Sequence, residues 1–255
     1  MEKTSIQNPH GQKIVVALDI LPNAKGLAFI AHGRSGFKEE PHIQTIADAF
    51  IESHYSVVRW DARDTLGESD GNIENATPTS YFEDLETVIA WSQSMAWYQE
   101  PFILAGHSLG SFVITLYAEK NAEKIKALAP TATNISGKSF MEECGKKLLS
   151  KWREKGYLEV NHPLKKSVTY KLNWHYVQDY QQYDLMPLIG RLEMPVLLVI
   201  GEKDDTPEYR TTFYQGIPSK RKELHTIPKS GHVFMSDAEL TELKRIFENW
   251  LKKLR

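Results

Sequence analysis

The sequence predicts an α/β protein whose mainly parallel sheet is covered by helices, and three observations carry that expectation. Short apolar runs alternate with amphipathic stretches along the chain, the pattern of strands joined by helical crossovers. With 255 residues, 41% of them hydrophobic, the chain can bury about three quarters of its unfolded surface, which suits one large α/β domain as well as two small ones. The longest apolar stretches, such as Pro195 to Ile200, fall far short of the roughly 20 residues that a bilayer span requires.

Taken in order, strands are expected at Ile14 to Ile20 and Gly26 to Ala31, on either side of a turn at Pro22 and Asn23. Further strands follow at Tyr55 to Trp60, Phe102 to Gly106, Ile125 to Ala129, Val196 to Gly201 and Glu223 to Ile227. Helical periodicity fills the intervals at His42 to His54, Ser80 to Trp97, Leu109 to Lys120, Glu208 to Gln215 and Asp237 to Leu254. Thr77 and Pro78 supply the start signal of the second of these. One segment breaks the rhythm. About 60 residues, Asn134 to Glu193, separate two apolar runs and are rich in Lys, Trp and Tyr, far longer than an ordinary crossover. The expected organisation is therefore a core of residues 1–133 and 195–255 with an inserted lid over 134–194.

Charge narrows the partners. Lys plus Arg number 31 and Asp plus Glu 33, a net charge of −2 with no basic block, so the clustered positive charge that grips nucleic-acid phosphates is missing. Met1 to Gly11 is polar without the basic start and apolar centre of a secretion signal, and the single Cys144 has no internal disulfide partner. The expected compartment is the cytoplasm.

The chemistry-bearing motif is Gly106-His107-Ser108-Leu109-Gly110, set between an apolar run and a helical one. A sharp strand-to-helix turn lifts the central serine clear of the sheet, and the flanking glycines admit close chain approach. Its hydroxyl then sits at a helix N-terminus, where developing negative charge is favoured. A serine hydroxyl needs a base, and the base needs a group that orients it. His232 lies in Ser230-Gly231-His232, after the last apolar run, and Asp204 lies just past the strongest one, in Gly201-Glu202-Lys203-Asp204. The order Ser108, Asp204, His232 is that of a nucleophile elbow on such a sheet. Asp205 is an alternative to Asp204, since both follow the same strand. Two backbone N–H groups are expected to hold the oxyanion of acyl transfer. One is that of Leu109, and the other that of Arg34 in the loop His32-Gly33-Arg34-Ser35-Gly36, where the His32 side chain is expected to brace the loop. Trp152, Tyr157, Trp174, His175 and Tyr176 of the insertion are candidates for an apolar wall around the substrate, Trp152 and Trp174 foremost.

From Lys13 to Arg255 these residues resemble the α/β-hydrolase superfamily, and within it small bacterial carboxylesterases of the cinnamoyl (feruloyl) esterase and serine-aminopeptidase-like group. The resemblance is carried by His32 to Gly36, Arg59 to Arg63 with Gly67 to Gly71, Gly106 to Gly110, Gly201 to Asp204, and Ser230 to His232. The stretch Asp61 to Ser69 departs from the group's pattern by one extra residue and a missing glycine. The resemblance implies an eight-stranded, mostly parallel sheet with a lid inserted after the sixth strand. It also implies cofactor-independent and metal-independent hydrolysis of a small-molecule ester through an acyl-enzyme. The same triad acting on amides or thioesters, as an aminopeptidase or thioesterase, is the alternative; a non-catalytic binding module on this fold is another, disfavoured because all three triad members are present. The sequence leaves oligomeric state open, a dimer included.

Overall fold

The computed structural model describes residues 1–204 and 207–254. In chain order the elements are β1 (Glu2–Gln7), β2 (Lys13–Asp19), β3 (Leu27–Ala31), α1 (Pro41–Glu52), β4 (Ser56–Trp60), α2 (Pro78–Ser92), β5 (Phe102–His107), α3 (Leu109–Lys120) and β6 (Ile125–Thr131). Then come α4 (Gly137–Lys155), β7 (Tyr157–Asn161), β8 (Thr169–Asn173), α5 (His175–Tyr180), β9 (Val196–Gly201), α6 (Pro207–Gly216), β10 (Lys222–Ile227) and α7 (Asp237–Leu251).

Eight strands form one sheet in the order β1-β2-β4-β3-β5-β6-β9-β10. The pairs β1/β2 and β2/β4 are antiparallel and the remaining pairs parallel, so the mostly parallel, helix-flanked sheet implied by the sequence is the one observed. Successive side chains of a strand face opposite sides, and each side meets its own layer. Ala28, Ile30, Leu197 and Val199 pack against Ile46 and Phe50 of α1 and Phe247 and Trp250 of α7. Phe29, Leu104, Leu128 and Leu198 pack against Leu85 and Val88 of α2, Phe112 and Val113 of α3, and Phe213 of α6. Burial of one such aliphatic side chain is worth about 1.5–3 kcal/mol, and strands covered on both faces therefore read as continuous apolar runs.

Two differences from the sequence reading have plain causes. The polar stretch Met1 to Gly11 contains β1, an edge strand on which only Ile6 is buried, so it lacks the apolar signal. The helix expected to reach Trp97 stops at Ser92, where Ser94 N–H and Met95 N–H bond back three residues to Trp91 and Ser92 carbonyls. Its start matches a reciprocal cap between Thr77 and Ser80. Between β6 and β9 lie α4, the antiparallel hairpin β7/β8 and α5. Their aromatic side chains pack on one another and on α3: Phe140 stacks on Tyr180 at 5.0 Å, and Phe112 meets Tyr180 at 4.9 Å. Among the described residues no helix is long and apolar enough to cross a membrane.

A buried acid on α3 makes stability depend on pH. Among the described residues neither carboxylate oxygen of Glu119 has a hydrogen-bond partner, and burial pushes its carboxyl up to about 8. The folded form thus keeps a proton that the unfolded chain releases above its ordinary value of 4.5. Stability is full below pH 4.5 and declines as pH rises toward 8, because the native state binds more protons. Glu119→Gln removes the ionisation. Its thermal unfolding curve is expected to lie close to wild type at pH 5 and to exceed it at pH 8 by about 2 kcal/mol, or roughly 4–8 °C. Equal pH slopes in the two proteins would contradict this.

Candidate active site

Parallel registry brings the carboxyl ends of the central strands to one edge, with Ala31 opposite Gly106, His107 opposite Thr131 and Gly201 opposite Ile227. Loops leaving that edge carry the candidate residues, as expected where ligands meet open α/β sheets. Since β5 ends at His107 and α3 starts at Leu109, Ser108 alone makes the reversal. It does so at φ 54° and ψ −120°, a backbone region that costs a non-glycine residue about 1–3 kcal/mol. The conformation is held by Ser108 N–H donating to Thr131 O at 2.9 Å and by Phe112 N–H donating to Ser108 O at 3.0 Å. Gly110 is dictated by close approach: a Cβ there would lie 2.4 Å from the carbonyl oxygens of Ala31 and His32.

His232 Nε2 stands 2.8 Å from Ser108 Oγ, within hydrogen-bond distance. On the other side of the ring, Nδ1 lies 3.4 Å from Asp204 Oδ2, with the carboxylate buried and the imidazole 44% exposed. The Asp204 and His232 loops are laced together by backbone bonds, Glu202 N–H to Ile227 O and Lys203 N–H to Ser230 O. His107 Nε2 also meets the carbonyl oxygen of His232 at 2.8 Å. Asp205, the other acid considered, lies outside the described residues.

Gly201 lets these loops touch, since a Cβ at that position would fall 2.1 Å from Gly231 O. Gly201→Ala is expected to push the histidine loop off the strand end and lower kcat/KM by about a hundredfold, the usual effect of a 1 Å misplacement. A variant with wild-type kinetics would show that the loops tolerate separation.

Leu109 is the first residue of α3, and its N–H is among the donors that a helix leaves without an internal partner. The loop bearing Arg34 is held from three sides. His32 bonds to Gly33 O through Nδ1 at 2.7 Å and accepts Ala62 N–H at Nε2, with burial lowering its pKa, so the ring is neutral and braces the loop. The Tyr81 hydroxyl accepts from Ser35 N–H and donates to Gly33 O, spanning Arg34. The Tyr170 hydroxyl, from β8 of the insertion, donates to Ser35 Oγ at 3.0 Å.

A cavity of about 430 Å³ opens at Ser108, walled by the 33–35 loop and by Phe140, Tyr170, Tyr176 and Tyr180 of the insertion. Trp152 and Trp174 are not on it. Trp152 is buried within the insertion, its indole N–H donating to Leu172 O and its ring stacked behind Tyr176. Trp174 packs edge-on against Trp152. Polar side chains that the sequence reading did not single out share the cavity: Glu40, His42 and His162. Desolvation pushes the Glu40 carboxyl up to about 8 and the His42 imidazole down to about 3, so both are mostly neutral near pH 7. No periodic signal marks them, because a turn before α1 and a hairpin loop about 120 residues later meet only in the folded chain. One group among the described residues has metal-ligand spacing, Glu39, Asp61 and Glu68. The Lys38 ammonium already sits among these three carboxylates, supplying the positive charge a metal would bring.

Residues 22–187 match the profile of the hydrolase family described as serine aminopeptidase, S33. Over 184 residues the chain is 24% identical to the mitochondrial palmitoyl-protein thioesterase ABHD10 of Bos taurus, covering 71% of this chain and 55% of that protein. The chain thus spans little more than half the length of this curated relative. Among solved structures, Est1E from Butyrivibrio proteoclasticus with ferulic acid bound is 23% identical, with a TM-score of 0.78 over 98% of both chains. The mouse α/β hydrolase domain-containing protein 10 is 17% identical, with a TM-score of 0.80 over 100% of both chains. At these identities the likeness speaks for a common fold.

Proposed function

The chain belongs to the serine aminopeptidase S33 family of α/β-hydrolases, and we propose from this that it is a serine esterase cleaving small acyl or aryl esters. Ser108 is the nucleophile, His232 the general base and then acid, and Asp204 the group that orients His232. The observation that carries the reading is the 2.8 Å contact between His232 Nε2 and Ser108 Oγ on a strained elbow, with Asp204 at the far ring nitrogen.

In the first step His232 takes the serine proton as Oγ attacks the ester carbonyl, forming the new C–O bond. The Leu109 and Arg34 N–H groups hold the oxyanion. The tetrahedral intermediate then expels the alcohol, which leaves with the proton from His232. Water, deprotonated by the same imidazole, attacks the acyl-enzyme, and collapse of the second intermediate frees the acid and restores Ser108. Asp204 stabilises the imidazolium without taking its proton. Residues 134–194 act as the lid over this cavity, with Tyr176 rather than Trp152 or Trp174 meeting the substrate. The cytoplasmic setting expected from the sequence belongs to the same proposal.

Arg34, Glu40, His42 and His162 on the wall favour a small polar acyl or aryl group over a long alkyl one, since an alkyl chain would leave buried polar groups without partners. A fluorophosphonate probe is expected to label Ser108, and para-nitrophenyl esters and hydroxycinnamate methyl esters are expected to turn over. An unlabelled serine would sink the proposal, whereas turnover of aminoacyl anilides or acyl thioesters alone would move it to the corresponding peptidase or thioesterase.

A further inference from the structure

Arg34 contributes more to the cavity than a backbone N–H. Its side chain also lines the space in front of Ser108, with the guanidinium carbon 5.2 Å from the centroid of the Tyr176 ring. The Tyr170 and Tyr176 hydroxyls are its polar neighbours. Among the described residues no carboxylate is ion-paired with it. A partly buried guanidinium on an aromatic wall can bind an anion of matching shape through two parallel charge-assisted hydrogen bonds.

Among the described residues, the other titratable groups on the wall form no ion pair with it. Glu40 and His42 are held mostly neutral by burial, and Asp204 faces His232. Glu143 also lines the cavity and has a partner of its own. Burial raises Tyr176 to about 12 and Tyr180 well above its ordinary value, and the Tyr170 hydroxyl donates to Ser35 Oγ. Among the described residues, a cation fixed on an aromatic wall beside the nucleophile is thus left without an ion-pair partner.

We propose that the Arg34 side chain is a specificity-determining group that binds a carboxylate carried by the substrate close to its scissile ester. This rests on the esterase reading for turnover, but not for binding. Carboxylate on the acyl side and carboxylate on the alcohol side share the same recognition chemistry, and the test separates them. On the acyl side, para-nitrophenyl hydrogen glutarate is compared with para-nitrophenyl pentanoate, which has a methyl group in place of the carboxylate. On the alcohol side, para-carboxyphenyl butanoate is compared with para-tolyl butanoate.

Wild type is expected to favour the anionic member of one pair by about 10–100-fold in kcat/KM. Arg34→Met is expected to bring that ratio to one or below, and Arg34→Lys to leave it in between. Using the ratio removes any loss common to both esters, such as a disturbed oxyanion loop, and a merely structural role would lower both members alike. Absence of an anionic preference in both pairs, or a preference that survives Arg34→Met, overturns the proposal. Binding is read separately in Ser108→Ala protein, where glutarate is expected to raise the Tm and pentanamide is not. The glutarate shift should vanish when Arg34→Met is added. No shift with glutarate overturns the proposal even if the enzyme proves to be an esterase, and a shift without any ester turnover would sink the esterase reading alone.

Discussion

Ser108→Ala is expected to lower kcat/KM for ester hydrolysis by about 10⁴–10⁶-fold while leaving the fold intact. On the proposed mechanism, removal of Oγ deletes the atom that would form the acyl-enzyme, and His232 then has no hydroxyl at 2.8 Å to deprotonate. What remains is catalysis by the N–H donors and by binding, which in triad enzymes still exceeds the uncatalysed rate by about 10³–10⁴-fold. The backbone at position 108 adopts φ 54°, as unfavourable for alanine as for serine, so the Tm should shift by no more than a few degrees. Steady-state kinetics, fluorophosphonate labelling and a melting curve read the three statements together. Activity within tenfold of wild type in a labelling-negative variant would remove Ser108 from the mechanism.

The second large effect is expected from Asp204→Asn, at about 10³–10⁴-fold in kcat with little change in KM. Asp204 Oδ2 lies 3.4 Å from His232 Nδ1, and in the proposed triad the carboxylate only accepts, which would keep the proton on Nδ1 and leave Nε2 free to receive the serine proton. An asparagine amide can donate at the same place and favours the opposite tautomer, with Nε2 already protonated. In the same proposal the carboxylate also stabilises the imidazolium formed during attack, an effect enlarged because Asp204 is buried. Asp205→Asn is expected to stay within about threefold of wild type, and the paired measurement decides between the two neighbouring acids. In the Ser108→Ala background, Asp204→Asn should add almost nothing, because residues that act as one unit are not additive. An independent loss in the double variant would mean that Asp204 acts outside the triad.

How much could be read from the chain alone follows from the range of the forces involved. β3, β5 and β9 are buried along their whole length, so their apolar runs are visible without any knowledge of their neighbours. β1 buries one residue, Ile6, and is held by the ladder with β2, which leaves no trace in hydrophobicity. The elbow is legible because its chemistry is local: a strand end, a serine and two glycines within five residues. The aromatic insertion was legible as an interruption, yet its tryptophans could not be told from its cavity-lining tyrosines, since both obey the same preference for apolar contact.

By itself, then, the sequence determined the alternation of strands and helices and the turn that carries Ser108, both of which depend on residues near one another in the chain. Tertiary structure alone decided that Tyr170 and His162 reach the loop around Arg34, that Trp152 turns inward while Tyr176 faces the cavity, and that Glu40 and His42 lose their charge. Those outcomes depend on desolvation and on contacts between segments apart in the chain, from 20 residues for Trp152 and Leu172 to 135 for Tyr170 and Ser35, quantities that come into being only when the sheet edge, the helices and the segment between β6 and β9 close around the same space.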